Sequence, residues 1–234
     1  PSELKIKATS KAGKTFEQGL PMPPMLKVKF LKIGNLETFD FLEEPGLISQ
    51  SKREDVFPPD PQIPWHGPED LSHRTLLGWD ESYFYIFSEV KDDAHENPYP
   101  DSESWQGDSL QVGIDSFNDA DGKPAYDADD NEFTFAMGKK PWSHQGPPTR
   151  KTPGEALGVK QFITRDETAK TTSYRIAIPR QLIAPLKLKD GMVFGLALCF
   201  NDKDPGEARY YMCFGYGVGE SKNPSLFKKM ILVK

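Results

Sequence analysis

The sequence predicts an all-β protein, an antiparallel β-sandwich of jelly-roll type with long loops and very little helix. Three observations carry that expectation. Apolar residues recur with period two in several short runs, most cleanly at Phe84, Ile86 and Val90 with Ser88 among them, and at Phe194, Leu196, Leu198 and Phe200. Such alternation buries one strand face and leaves the other outside. The 21 Pro and 19 Gly residues cut the 234-residue chain into many turns, leaving almost no helix to cover a parallel sheet. The 15 Phe and 8 Tyr residues favour pleated, half-buried strands.

The elements follow in order. The basic start, Lys5, Lys7, Lys11 and Lys14, reads as a solvated edge or linker, and Met25–Ile33 ("MLKVKFLKI") as a first strand. Leu42–Pro68 is proline-rich and irregular. His73–Asp80 and Tyr83–Asp92 are apolar runs joined by so short a link that they predict a hairpin. Further strands are expected at Asp108–Asp115, Glu132–Gly138, Val159–Asp166, Thr172–Pro179, Met192–Asp202, Ala208–Gly217 and Lys228–Lys234. A helical turn is expected after Pro179, stopped by Pro185. Lys139–Gly158 is a long loop, a frequent place for function. The domain reading is one unit: residues 1–60 lead into or pack on a sandwich spanning 61–234. The start at Pro1 reads as a processed product or a fragment of a longer chain.

The composition excludes some partners. A net charge of −6 argues against nucleic acid, which needs a basic face. No apolar run reaches the 18 residues of a membrane-spanning helix. Cys199 and Cys213 each sit in an apolar alternating run; buried free thiols are expected, and a disulfide between neighbouring strands stays open.

Catalytic motifs are missing. His66, His73, His95 and His144 show no HExxH spacing, there is no GxSxG elbow, and "GYGVG" (215–219) lacks phosphate-loop spacing. Carboxylate pairs such as Asp92 with Asp93 and Asp108 with Asp115 occur in any chain with 35 acids, so they do not single out a glycosidase. The run Asp115–Glu132 is dense in hard oxygen ligands, a composition that suits structural calcium. Asp127, Asp129 and Asp130 are its candidate ligands. The segment from Asp127 starts like a calcium-hand loop and then departs from it, because Glu132 stands at the glycine position and Gly138 at the closing glutamate. A solvated acidic loop is the competing expectation.

Trp105 raises a sharper question. It lies among Ser, Glu, Gln, Gly and Asp, directly before the alternating strand Leu110–Ile114. A pyranose has an apolar C–H face and a rim of hydroxyls. An indole at a rim covers the first, and amides and carboxylates such as Glu103, Gln106 and Gln111 take the second. Plugging of a strand entrance is an equal reading from composition alone. Trp79 reads as core, Trp65 as packing over a sandwich edge, and Trp142 as a free aromatic of the long loop.

Four separated runs, "WHGPEDLSHRTLLGWDESYFYIFSEVKDDAHENPY", "WQGDSLQVGID", "VFGLALCFNDKD" and "NPSLFKKMILVK", resemble the family 9 carbohydrate-binding modules over residues 62–234. The resemblance implies a β-sandwich that binds oligo- or polysaccharide without chemistry, with structural calcium in some members. It implies attachment to polysaccharide-degrading enzymes and an extracellular or periplasmic setting. It implies a clamp of two tryptophans, of which one matches Trp105, with Gln111 at the position of a charged hydroxyl-binding residue. The position of a contributing arginine is Thr134, and that of the second tryptophan is Ser221. Trp142 is the candidate substitute wall. Glu132 and Asn131 are expected nearby, with Asn201 and Tyr210 as outer candidates beside Asp202. Two alternatives stand beside this reading: a structural domain that no longer binds sugar, and a haem-binding relative using an axial pair from Met137, Met212, His73 and His95.

Overall fold

The computed structural model describes residues 3–11, 13–21, 25–60, 62–120, 122, 125–144 and 152–234. Among the described residues there are sixteen strands: β1 (Glu3–Thr9), β2 (Thr15–Pro21), β3 (Leu26–Phe30), β4 (Ile48–Gln50), β5 (Val56–Phe57), β6 (Leu71–Trp79), β7 (Tyr83–Asp92), β8 (Ser109–Asp115), β9 (Asp130–Phe135), β10 (Trp142–Ser143), β11 (Gly154–Glu155), β12 (Lys160–Asp166), β13 (Thr171–Pro179), β14 (Val193–Asp202), β15 (Tyr210–Phe214) and β16 (Lys228–Val233). β1 and β2 form a two-stranded sheet of their own. The rest form one sheet that curls into a sandwich, in the order β11-β10-β9-β8-β14-β16-β3-β6-β7-β13-β12, with β15 and β5 extending from β14 and β4 on β6. The expected all-β sandwich is present.

Most steps are antiparallel, but the sheet is mixed. β3 lies between β16 and β6 and runs parallel to both. The connection from β3 to β6 is long enough to bring the chain back in the same direction, which a tight hairpin forbids. The expected hairpin is β6–β7, and its turn is set by Asp80, whose carboxylate accepts from the backbone N–H groups of Ser82 at 2.7 Å and Tyr83 at 2.8 Å.

The alternating residues meet between the two layers as expected. Phe84 and Ile86 of β7 and Ile176 and Ile178 of β13 face Val112 and Ile114 of β8, Phe133 and Phe135 of β9, and Phe194, Leu196, Leu198 and Phe200 of β14. Trp79 is sealed in this core, its indole N–H donating to Val28 O at 3.1 Å. Trp65 packs at the core margin and donates to Leu71 O at 3.0 Å. The outer faces are also partly covered. Tyr85 and Phe87 lie under Leu31 and Phe41, because residues 31–47 fold back over β7. A third cluster, Ala197, Cys199, Tyr211, Cys213, Val218 and Phe227, lies on the outer side of β14 and β15.

One local expectation is corrected. After Pro179 the chain makes two separate tight turns, Leu182 N–H to Pro179 O and Leu186 N–H to Ile183 O, each 2.9 Å, instead of a continuous helical segment. Ile183 and Leu186 are buried against the sandwich core, so packing fixes the path here.

Candidate functional site

The register of the outer sheet builds one lateral row. Trp142 pairs with Thr134, Thr134 with Gln111, Gln111 with Cys199, and Cys199 with Cys213. Directly paired residues share a face, so these five side chains stand on the same side, away from the sandwich core. Glu132 follows on that side of β9, Asn201 on that of β14 and Tyr211 on that of β15.

Trp105 joins this face from a 3-10 turn, Asp101–Gln106, that opens after Pro100. Asn97 holds the turn to the start of β8: its Nδ2 donates to Ser104 O at 2.8 Å and to Asp108 O at 3.0 Å. Asp108 fixes the neighbouring loops, accepting from the N–H groups of Glu96 and Lys203. Gly107 permits the close approach, since a Cβ there would lie 2.6 Å from Glu96 O. The indole is half-buried, and the Arg209 guanidinium lies 5.1 Å from its ring centroid and 5.0 Å from that of Tyr211. Arg209 also donates to Asn201 Oδ1.

On this face the polar groups are mutually satisfied. Asn201 Nδ2 donates to Gln111 Oε1 at 3.1 Å and to Ser109 Oγ at 3.1 Å, and Gln111 Nε2 donates to Glu132 Oε1 at 3.0 Å. Lys222 Nζ reaches both Glu132 oxygens, at 2.7 and 2.8 Å. Thr134 Oγ1 bonds His144 Nε2 at 2.8 Å. Burial pushes the His144 pKa down, so its imidazole is neutral at pH 7. Arg209 and Lys222, which sequence reasoning missed, place two charged groups at the edge of this face, where Thr134 is neutral. Their signal lies only in strand register and turn geometry: one precedes β15, the other precedes β16 in a turn.

The structure brings Trp105, Gln111, Glu132, Thr134, Asn201 and Trp142 to this one face. Gln111, Glu132, Thr134 and Asn201 are buried beneath it, while Trp105 and Trp142 are half-buried. Lys140 N–H donates to Asp101 Oδ1 at 3.2 Å, which ties the turn carrying Trp105 to the segment carrying Trp142. Residues 145–151 of the long loop lie outside the described residues. Asn131 and Tyr210 stand apart. Asn131 turns inward, donating to Ser116 Oγ at 3.3 Å and Asp129 O at 2.9 Å, and Tyr210 belongs to the inter-sheet core. Ser221 lines an open, mostly apolar pocket of about 350 Å³ with Val56, Phe57, Pro59, Tyr216 and Leu226.

Among the described residues, two clusters made only of aspartates border the sandwich. In the first, ligand atoms of Asp115, Asp119 and Asp129 lie within 4.8 Å of one another. Of the three expected ligands only Asp129 converges in this way. Asp127 accepts from Asp129 N–H at 3.1 Å, and Asp130 from Asp127 N–H at 2.7 Å, so both fix the loop. Asp129 and Asp130 are raised to about 7, chiefly by burial and then by neighbouring carboxylates. Asp121 lies outside the described residues. In the second group Asp204 converges with Asp70 and Asp93 and also with Asp92 and Asp202. Neither oxygen of the buried Asp202 has a hydrogen-bond partner, and the Tyr210 hydroxyl beside it closes no well-formed hydrogen bond. Burial pushes Asp202 up to about 9. This second group went unnoticed in the sequence because its five acids are scattered over three separate segments.

Two of the four residues the haem alternative would use are not free to serve as axial ligands. Both His73 nitrogens are engaged, by Gln50 Oε1 at 2.9 Å and Thr75 Oγ1 at 3.0 Å, and Met212 is fully buried in the core.

The profile of the family described as "Carbohydrate family 9 binding domain-like" matches residues 62–234, and the chain belongs to that family. Two similar solved structures are of a family 9 carbohydrate-binding module from Caldicellulosiruptor kristjanssonii. The complex with cellotriose has a TM-score of 0.66 at 16% identity, over 90% of this chain and 94% of that one. The complex with glucose has a TM-score of 0.65 at 16% identity, over 89% and 95%. A third, described as a putative carbohydrate-binding protein from Bacteroides uniformis, has a TM-score of 0.58 at 14% identity, over 89% and 98%. At these identities the likeness is one of fold. No curated protein matches the chain.

Proposed function

We propose that the outer face bearing Trp105 binds carbohydrate by stacking, without catalysis, as a module of a polysaccharide-degrading system outside the cytoplasm. One observation carries the reading. A half-buried indole is clamped by Arg209 beside a floor whose buried polar groups already have partners. A ligand landing there meets a rigid aromatic, so little side-chain entropy is lost on binding. The Arg209 guanidinium and Lys222 ammonium lie at the edge of that floor and donate to sugar hydroxyls, with Glu132 and Asn201 orienting them from below. Trp142 serves as the second wall in place of the aromatic that Ser221 lacks. The two solved relatives in complex with cellotriose and glucose support β-glucans as the first ligands to try.

Stacking of this kind contributes about 0.5–1.5 kcal/mol beyond the burial of apolar area. The test is tryptophan fluorescence during titration with glucose and cello-oligosaccharides. Binding on the order of micromolar to millimolar is expected. Trp105→Ala should remove the response and Trp142→Ala should weaken it. A wild-type titration that stays flat across a wide sugar panel would leave the structural-domain reading in its place.

Calcium is proposed as a stiffener and not as a participant. The residues that would hold it are Asp115, Asp119 and Asp129 around the loop between β8 and β9, and Asp70 before β6 with Asp92 and Asp93 at the end of β7 and Asp202 and Asp204 at the end of β14. The chemistry fits. These are hard oxygen donors, and the unpartnered buried carboxylate of Asp202 is what a divalent cation satisfies. Bound there, the ion supplies positive charge that fixes the loops on either side of β8.

A further inference from the structure

The two cysteines form a site that the sugar reading does not use. Cys199 and Cys213 are directly opposed in the antiparallel register of β14 and β15. Both are free and buried, and both belong to the outer apolar cluster with Tyr211, Val218 and Phe227. Directly opposed antiparallel residues have Cα atoms about 4.5–5.5 Å apart, inside the range of about 4.4–6.8 Å that a disulfide spans. Their side chains share a face, so the Cβ vectors are side by side. We propose that Cys199 and Cys213 are a disulfide-forming pair, a cross-strand staple beneath the candidate binding face, closed by exchange with a small-molecule disulfide during folding.

The exchange balances without another reagent. One thiol loses its proton and its thiolate attacks a sulfur of the oxidant RS–SR. A mixed disulfide forms and RS⁻ leaves. The second cysteine, deprotonated in turn, attacks the protein sulfur of that mixed disulfide, the Cys199–Cys213 bond forms, and the second RS⁻ leaves. The protein gives up two electrons and two protons, and RS–SR becomes two RSH.

The fold dictates when this happens. Thiolate is the attacking species. In the folded protein the Cys213 pKa is held well above the usual value, first by its contact with the Cys199 thiol and then by burial. Access is closed as well, with Cys199 0% and Cys213 3% exposed. The pair therefore closes while β15 docks and is shielded afterwards. The staple matters for its position. The hairpin it spans, Cys199–Cys213, contains both Arg209, whose guanidinium lies against Trp105, and Asn201, which accepts from Arg209. In the reduced form the Cys199 thiol also donates to Asn201 Oδ1 at 3.6 Å. Oxidation removes that donor and leaves Arg209 as the partner of this oxygen.

The test needs no sugar and stands or falls apart from the carbohydrate reading. The wild-type chain is unfolded with reductant, then refolded in a mixture of glutathione and glutathione disulfide, and its intact mass and peptide map are recorded. The expected product is a monomer lighter by two hydrogen atoms, with the Cys199 and Cys213 peptides linked. Its thermal midpoint should lie on the order of 5–10 °C above the reduced form, and a phosphine reductant should reverse the gain. Folded, reduced protein placed in the same buffer should react at least tenfold more slowly. Cys199→Ser should lose the linked peptide. Two alkylatable thiols in the refolded wild-type monomer, or linkage only between chains, overturns the proposal whether or not the variant folds.

Discussion

At the residue scale the site rests on how few groups share a buried charge. Glu132 is 1% exposed and depends on Lys222, whose side chain is about half exposed. Removing one partner of a buried pair leaves an uncompensated charge, and that cost exceeds the value of the pair itself. Lys222→Met should therefore destabilise the fold by about 1–2 kcal/mol, discounted for the solvent around the lysine. Adding Glu132→Gln should recover part of the loss, and a double-mutant cycle in urea would measure the coupling. Additive effects would show that the two side chains act independently. Arg209 is a second such residue, since it touches Trp105, Tyr211 and Asn201 together. Trp105 was legible in the sequence because an indole in a polar, Gly-containing run stands out. Arg209 was not, because its contact depends on how the β14–β15 hairpin folds back.

At the element scale the decisive piece is the short turn Asp101–Gln106 and its junction with β8. Gly107 lies against Glu96 O and Asn97, where a Cβ would overlap at 2.6–2.8 Å. Gly107→Ala should shift the turn, cost about 1–3 kcal/mol as an overpacked site does, and dull any sugar-induced fluorescence change. Unchanged stability and unchanged fluorescence would show that the turn does not position the indole. The strands themselves were readable from period-two alternation in β7, β8, β13 and β14. The helical turn after Pro179 was misread because Pro at a first position and a second Pro as stop mimic a helix, whereas buried Ile183 and Leu186 decide the path. Asn131 and Tyr210 were placed on the wrong side for a subtler reason. Neighbours along a strand point to opposite faces, so Glu132 on the site puts Asn131 in the interior, and Tyr211, opposite Asn201, puts Tyr210 there.

At the scale of the whole molecule, stability should carry the signature of its buried acids. Asp129 and Asp130 are raised to about 7 and Asp202 to about 9, against an ordinary value of 3.8. A raised carboxylate means that the native state binds more protons than the unfolded one, so stability falls as pH rises toward the folded-state value. His73, held down to about 3 by burial, acts in the opposite direction, but only below its ordinary value of 6.5. In chelator the thermal midpoint should therefore drop between pH 6.5 and 8.5, and calcium should restore it most at pH 8.5. A flat profile with no calcium effect would remove the proposed ion. The sandwich was legible as a whole because alternation, turns and aromatics agree. The parallel placement of β3 and the second acidic group were not, since both depend on which distant strands become neighbours. The most direct test of the central claim is calorimetric titration of the wild-type protein with cellotriose, repeated with Trp105→Ala. The account predicts a saturable isotherm that weakens at least about tenfold, roughly 1.4 kcal/mol, in the variant. Equal binding by both proteins, or heat from neither, would contradict it.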